Sequence, residues 1–244
     1  PYHVLVDGNH GYNPRRDIHA VACYHPLPPR SLIKIDKGFW VTSPELTFIQ
    51  ICADEELSDF DIISLGYELC GTYVLDDSWD GLTCIDESLT STEKIGRLIN
   101  SIHRVPGIKR ARNLIKHVHD LSNSPMETTL AMLVSLPTTK GGFGLGPISL
   151  NHPVATPVGQ RRVDIAFPKH RVGLEYQGKE FHSIEAAGRD ARRQNKIVGS
   201  GFTILNVWYE DLIDEHLFQQ LVTDLFRALG IRKRIRVTGY RTLQ

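Results

Sequence analysis

The chain has 244 residues, 41% of them hydrophobic and 23% charged, and its 28 basic and 28 acidic side chains cancel to zero net charge. That is the composition of a soluble globular protein with room for one large or two ordinary domains, and no apolar run approaches the roughly 18 residues needed to span a bilayer. No charged, then apolar start suggests a secretory leader, and Cys23, Cys52, Cys70 and Cys84 are widely spaced without a CxxC pair, which argues for reduced thiols in the cytoplasm and against a zinc site.

The first element follows at once. The chain begins Pro1-Tyr2-His3, without a methionine, and this reads as a trimmed N-terminus. Tyr2 to Val6 and Ile18 to Tyr24 have the composition of strands, with turn signals at Asp7-Gly8-Asn9 and Asn13-Pro14, and Ile33 to Val41 reads as a hairpin around Asp36-Lys37-Gly38. Ser43-Pro44-Glu45 opens a helix, with serine as cap and proline in the first turn, and Leu46, Phe48, Ile49 and Cys52 give it a buried face. A second helix fits Phe60 to Leu69 and is stopped by Gly71. Thr90 to Glu93 has the spacing of a capping box ahead of Ile95, Leu98, Ile99 and Ile102, and a basic amphipathic helix follows from about Ile108 to His119.

Charge is unevenly spread along these elements. Residues 54–93 carry twelve acidic side chains and no lysine or arginine, whereas residues 94–244 carry 23 basic side chains against 12 acidic ones. The second segment could attract a polyanion; the plainer reading is an acidic stretch docked on basic surface, or two solvated faces.

Beyond residue 121 the spacing becomes informative. Ser124-Pro125-Met126-Glu127 opens a helix through Leu136; serine followed three residues on by glutamate is the capping-box signature, so Glu127 reads either as a cap or as a site carboxylate. After a glycine-rich loop, Lys140 to Gly146, the runs Arg161 to Phe167 and Val172 to Gly178 flank the turn Pro168-Lys169-His170-Arg171 and form a hairpin. Centring that turn between Lys169 and His170 sets Ile165 opposite Leu174, Asp164 opposite Glu175 and Arg162 opposite Gln177. Alternation then puts Asp164, Glu175, Arg162 and Gln177 on one face, with the small Ala166 and Gly173 leaving room beside them. Val163, Ile165, Phe167, Val172, Leu174 and Tyr176 form the core face. Two carboxylates directly across a ladder destabilise it; a shared divalent cation offsets that cost most simply, and Arg162 as a structural counter-ion is the next answer. Oxygen ligands favour Mg²⁺ or Mn²⁺ over zinc. Exposed surface acids on an ordinary hairpin remain the plain alternative.

Lys179, Glu180, Phe181 and His182 follow, then a helix from about Ser183 with Arg189, Asp190, Arg192, Arg193 and Lys196. Phe202 to Trp208 reads as an apolar strand buried on both faces, next to a crossover helix. A final amphipathic helix, roughly Glu215 to Leu229, and a basic tail close the chain.

The order of helix with glutamate, Asp-bearing strand, turn, Glu-x-Gln strand, basic helix and strand resembles the PD-(D/E)xK nuclease superfamily. GLEYQGKEFHS, RDARRQN and GFTILNVWYEDL look like the small endonuclease-like domains related to very-short-patch-repair endonucleases, over about residues 124–212. The stretch VTSPELTFIQIC is weakly similar to AbiEi-type antitoxin or regulator proteins. The resemblance implies an α/β (α+β) protein: a restriction-endonuclease-like core at 122–244, with a central mixed sheet flanked by helices, preceded by a smaller α+β region at 1–121. It implies Asp164, Glu175 and Glu127 as ligands of Mg²⁺ or Mn²⁺, with His182 and Asp190 as motif residues. The superfamily's lysine falls at Gln177, which cannot take a proton; Lys179 or His182 would substitute, and for either a solvated surface side chain is the plainer reading. Arg162, Arg189, Arg192 and Arg193 would neutralise phosphates. The expected partner is DNA, with a toxin or regulator protein as a second possibility, and the expected activity is metal-dependent endonucleolytic hydrolysis. The alternatives are a non-catalytic DNA-binding regulator or antitoxin on the same scaffold and a protein-interaction module built on the acidic segment.

Overall fold

The computed structural model describes residues 2–8, 16–24, 26–76, 81–178 and 195–232. Lys179, His182, Arg189, Asp190, Arg192 and Arg193, the start of the helix expected from Ser183, the turn signals at Asn9 and Asn13-Pro14, and the tail beyond Arg232 lie outside the described residues.

Two small ladders come first. Strands β1 (Tyr2–Asp7) and β2 (Ile18–Cys23) pair in parallel, and β3 (Leu32–Asp36) and β4 (Phe39–Thr42) form the expected antiparallel hairpin. Helix α1 (Pro44–Ile51) starts where the sequence says, with the Ser43 hydroxyl accepting from the Leu46 amide at 3.4 Å. Helix α2 (Asp59–Cys70) is capped by Ser58 and Asp61, each accepting from the other's backbone N–H. A short hairpin of β5 (Tyr73–Leu75) and β6 (Leu82–Cys84) leads to α3 (Thr92–Ser101). The cap of α3 is Ser91 rather than Thr90, because the Thr90 hydroxyl donates to Glu45 at 2.5 Å and is taken. Helix α4 (Ile108–Leu114) tightens into a single 3-10 turn at Ile115–His117, short of the expected His119. The chain then bends back so that the Leu121 amide donates to the Cys70 carbonyl at the end of α2.

The second half is a layered α+β arrangement. Helix α5 (Pro125–Ser135) is followed by a 3-10 turn at Thr138–Lys140 and a glycine-rich loop that folds onto the helix end. There the amides of Phe143, Gly144 and Leu145 donate to the carbonyls of Leu133, Leu136 and Val134, which a helix end otherwise leaves unsatisfied. A Cβ at Gly142 would stand 2.3 Å from the Leu136 carbonyl oxygen, so the approach requires glycine. Strands β7 (Ser149–Thr156), β8 (Gly159–Phe167), β9 (Val172–Gln177) and β10 (Thr203–Trp208) make one mixed sheet in the order β10-β9-β8-β7. The pairs β7 with β8 and β8 with β9 are antiparallel, and β9 with β10 is parallel. Helices α6 (Tyr209–Ile213) and α7 (Glu215–Ala228) complete the described chain.

One continuous cluster of buried side chains draws on both halves: Phe48, Ile62 and Tyr67 from α1 and α2, Leu130 and Met132 from α5, Ile165, Phe167 and Leu174 from the sheet, and Phe218 and Val222 from α7. Each such side chain contributes about 1.5–3 kcal/mol by leaving water. A second, smaller cluster of Val154, Val163, Ala166 and Ile197 covers the opposite sheet face. The last strand departs from expectation: among the described residues β10 is a sheet edge, and of its residues only Val207 is fully buried. Among the described residues, no helix is long and apolar enough to cross a membrane.

Candidate active site at a forked sheet

The hairpin register is the one the turn dictates: Ile165 pairs with Leu174, Ala166 with Gly173 and Phe167 with Val172. The ladder then ends. Where the simple hairpin would set Asp164 across from Glu175, the strands part, and Asp164 Oδ2 instead accepts a hydrogen bond from the Tyr176 amide at 2.9 Å. Beyond this fork β8 keeps its pairing with β7, while β9 keeps its pairing with β10.

Arg162 and Gln177 are therefore not opposite each other. Arg162 is exposed and donates from Nη1 to the Asn151 carbonyl on β7 at 3.0 Å. Gln177 pairs with Trp208 on β10, and its Nε2 donates to Asn206 Oδ1 at 3.0 Å. The side chains that share a face also differ from simple alternation. Val163 does not lie with Ile165; it joins Ala166 in the smaller cluster, and a Cβ on Gly173 would stand 2.5 Å from Val163 Cγ1 and 2.8 Å from Ile204 Cδ1. The space expected beside Ala166 and Gly173 is filled by these side chains.

Glu127 takes the capping place that the Ser124 spacing expects. Its amide donates to the Ser124 hydroxyl at 3.1 Å, which caps α5, and its carboxylate accepts from the Asn123 amide at 3.0 Å and from the Ser124 hydroxyl at 3.3 Å. The carboxylate also sits in the field of Asp164 and is only 9% exposed. Burial first, and then the Asp164 charge, push its carboxyl up to about 7, against the Asn123 and Ser124 hydrogen bonds that favour the ionised form. Glu175 is equally enclosed, at 7% exposure. A buried acid is costly to ionise, and Glu127 and Glu175, brought in from a helix and a strand, are both buried, unlike the surface acids of an ordinary hairpin.

No family model matches this chain, and no curated protein or solved structure does.

The arrangement itself limits what the group could hold. Among the described residues no three His, Cys, Asp or Glu side chains gather as a metal-binding group, so Glu127, Asp164 and Glu175 do not form the full three-carboxylate set. The Asp164 charge acts on Glu127, and a carboxylate pair offers the oxygen donors that a hard dication prefers.

Sequence reasoning missed two residues here. Asn206 stands beside Glu175 in the parallel register and holds the Gln177 amide; a lone polar residue inside an apolar strand was the available signal. Asn151 lies on β7, a strand that the Asn-His-Pro composition disguises as loop. Pro153 is tolerated because, among the described residues, β7 is the other sheet edge.

Proposed function

We propose that this protein is a Mg²⁺- or Mn²⁺-dependent phosphodiesterase acting on DNA, with its centre at the fork between β8 and β9. The observation that supports this reading most is the pair of acids at the fork: buried Glu127 lies in the field of the Asp164 charge. Glu127 and Asp164 would hold the dication, with Glu175 on β9 as a further carboxylate, and when bound the ion would lower the pKa of a water and stabilise charge on the phosphate. The remaining work falls to side chains. Gln177, with its Nε2 donated to Asn206, presents its carbonyl oxygen as an acceptor that orients an attacking water, though it cannot remove the proton. Arg162, exposed on β8, meets a flanking phosphate without reading sequence. Lys179 and His182 follow Gln177 closely in the chain and are the candidates for proton transfer; Arg189, Arg192 and Arg193 are further candidates for phosphate contacts.

A second reading is favoured by Gln177 itself. With an amide in place of the lysine and that amide engaged by Asn206, the scaffold also suits a non-catalytic DNA-binding regulator or antitoxin, with a toxin as its protein partner. Supercoiled plasmid and short single- and double-stranded oligonucleotides, incubated with Mg²⁺ or Mn²⁺, separate the two. The nuclease reading expects metal-dependent cutting that Asp164→Ala and Glu175→Ala each abolish. Bound DNA with no cutting and no metal uptake would reject it in favour of the regulator.

A further inference from the structure

Strand β7 pairs with β8 on both sides of Asn151, at Leu150 with Ile165 and at His152 with Val163, but the rung between, Asn151 with Asp164, is missing from the ladder. Asn151 has a left-handed backbone, φ +47°, a conformation that costs most residues free energy and that asparagine tolerates better than others. It is buried. Its Nδ2 donates to the Leu121 carbonyl at 3.1 Å, its own carbonyl accepts from Arg162, and Leu121 is itself left-handed at φ +70°. At this rung the facing of β8 changes: Ile165 points into the large core, whereas Val163 joins Ala166 on the other side. Asp164 stands at the point of reversal, with Oδ2 on the Tyr176 amide instead of continuing the pleat.

We infer that Asn151 is a positioning residue: its left-handed backbone, pinned through Nδ2 to Leu121, breaks the β7–β8 rung and so turns the Asp164 carboxylate into the fork beside Glu127. A residue with φ below zero at this position extends the ladder by one rung and draws Asp164 back into regular alternation, away from Tyr176. The catalytic meaning of this role rests on the nuclease reading above; the geometric role does not.

The test compares Asn151→Gly, which keeps the left-handed backbone at no steric cost but loses the pin, with Asn151→Ala and Asn151→Val, which disfavour that backbone increasingly. Hydrogen exchange of the Tyr176 amide reads the position of Asp164, and Mn²⁺ titration calorimetry reads the carboxylate pair; thermal unfolding identifies any variant that fails to fold. Asn151→Gly is expected to keep Tyr176 protected relative to Asn151→Ala and Asn151→Val. In the latter two, exchange at that amide speeds up roughly tenfold or more, as loss of a hydrogen bond to a charged acceptor implies, and Mn²⁺ binding weakens in parallel. Equal loss in the glycine and alanine variants, or an unchanged Tyr176 amide in a folded Asn151→Val protein, overturns the proposal. A wild type that binds no Mn²⁺ and cuts nothing, with Tyr176 following the expected order, sinks the nuclease reading and leaves the positioning role standing.

Discussion

Glu127 does two things that pull its protonation in opposite directions. Its hydrogen bonds from Asn123 and Ser124 favour the carboxylate, and its burial beside Asp164 favours the acid, with burial the stronger influence. Because its carboxyl in the folded protein is raised from about 4.5 to about 7, the stability it contributes is complete below its unfolded value and is lost as pH rises through about 7. The loss is on the order of 3 kcal/mol across that window. Thermal unfolding from pH 5 to pH 8 should therefore show a falling Tm in the wild type and a flatter profile in Glu127→Gln. Mg²⁺ or Mn²⁺ should raise Tm more at pH 8 than at pH 5, and Asp164→Asn should remove that increment. A Tm profile identical in wild type and Glu127→Gln would mean the acid is not held as its surroundings indicate.

Among elements, the sheet shows how local pattern and packing divide the work. The turn Pro168 to Arg171 sets the β8–β9 register, and the register comes out as the turn implies. The pairing stops at Ile165 with Leu174, where the next residue, Asp164, gives its carboxylate to the Tyr176 amide, while β8 stays paired with β7 and β9 with β10. Gly173 lies just inside the fork, under Val163 and Ile204. Gly173→Ala should cost about 1–3 kcal/mol through overpacking. Denaturant titration of that variant should lower the midpoint with little change in slope, whereas an unchanged midpoint would show that Val163 and Ile204 can give way.

Across the whole molecule, the buried cluster does not stop at residue 121. It runs from α1 and α2 through α5 and the sheet to α7, and Asp59 at the start of α2 accepts from Arg110 at 2.9 Å and also from Lys140, beyond α5. Those partly exposed ion pairs add little stability, so the shared apolar core is what couples the halves. Leu130→Ala, at a 1% exposed position on α5, should cost about 2–5 kcal/mol. It should shift one common unfolding transition, seen alike by far-ultraviolet circular dichroism and tryptophan fluorescence. Two separated transitions, only one of them shifted, would show that residues before and after 121 hold independent cores.

The sequence by itself determined what depends on neighbours in the chain. Ser43-Pro44 and Ser124-Pro125 fixed two helix starts, since a cap needs only a side chain three residues away, and Lys169-His170 fixed the hairpin register, since a short turn leaves one way to pair. The mixture of helices and strands followed from the apolar spacing along the chain. Tertiary structure alone decided the fork, the turnover of Val163, the engagement of Gln177 by Asn206 and the meeting of Glu127 with Asp164. Each of these depends on a side chain or backbone group from another element, β7 and β10 around the strands and α5 for the acid. Alternation along a single strand records nothing of those neighbours.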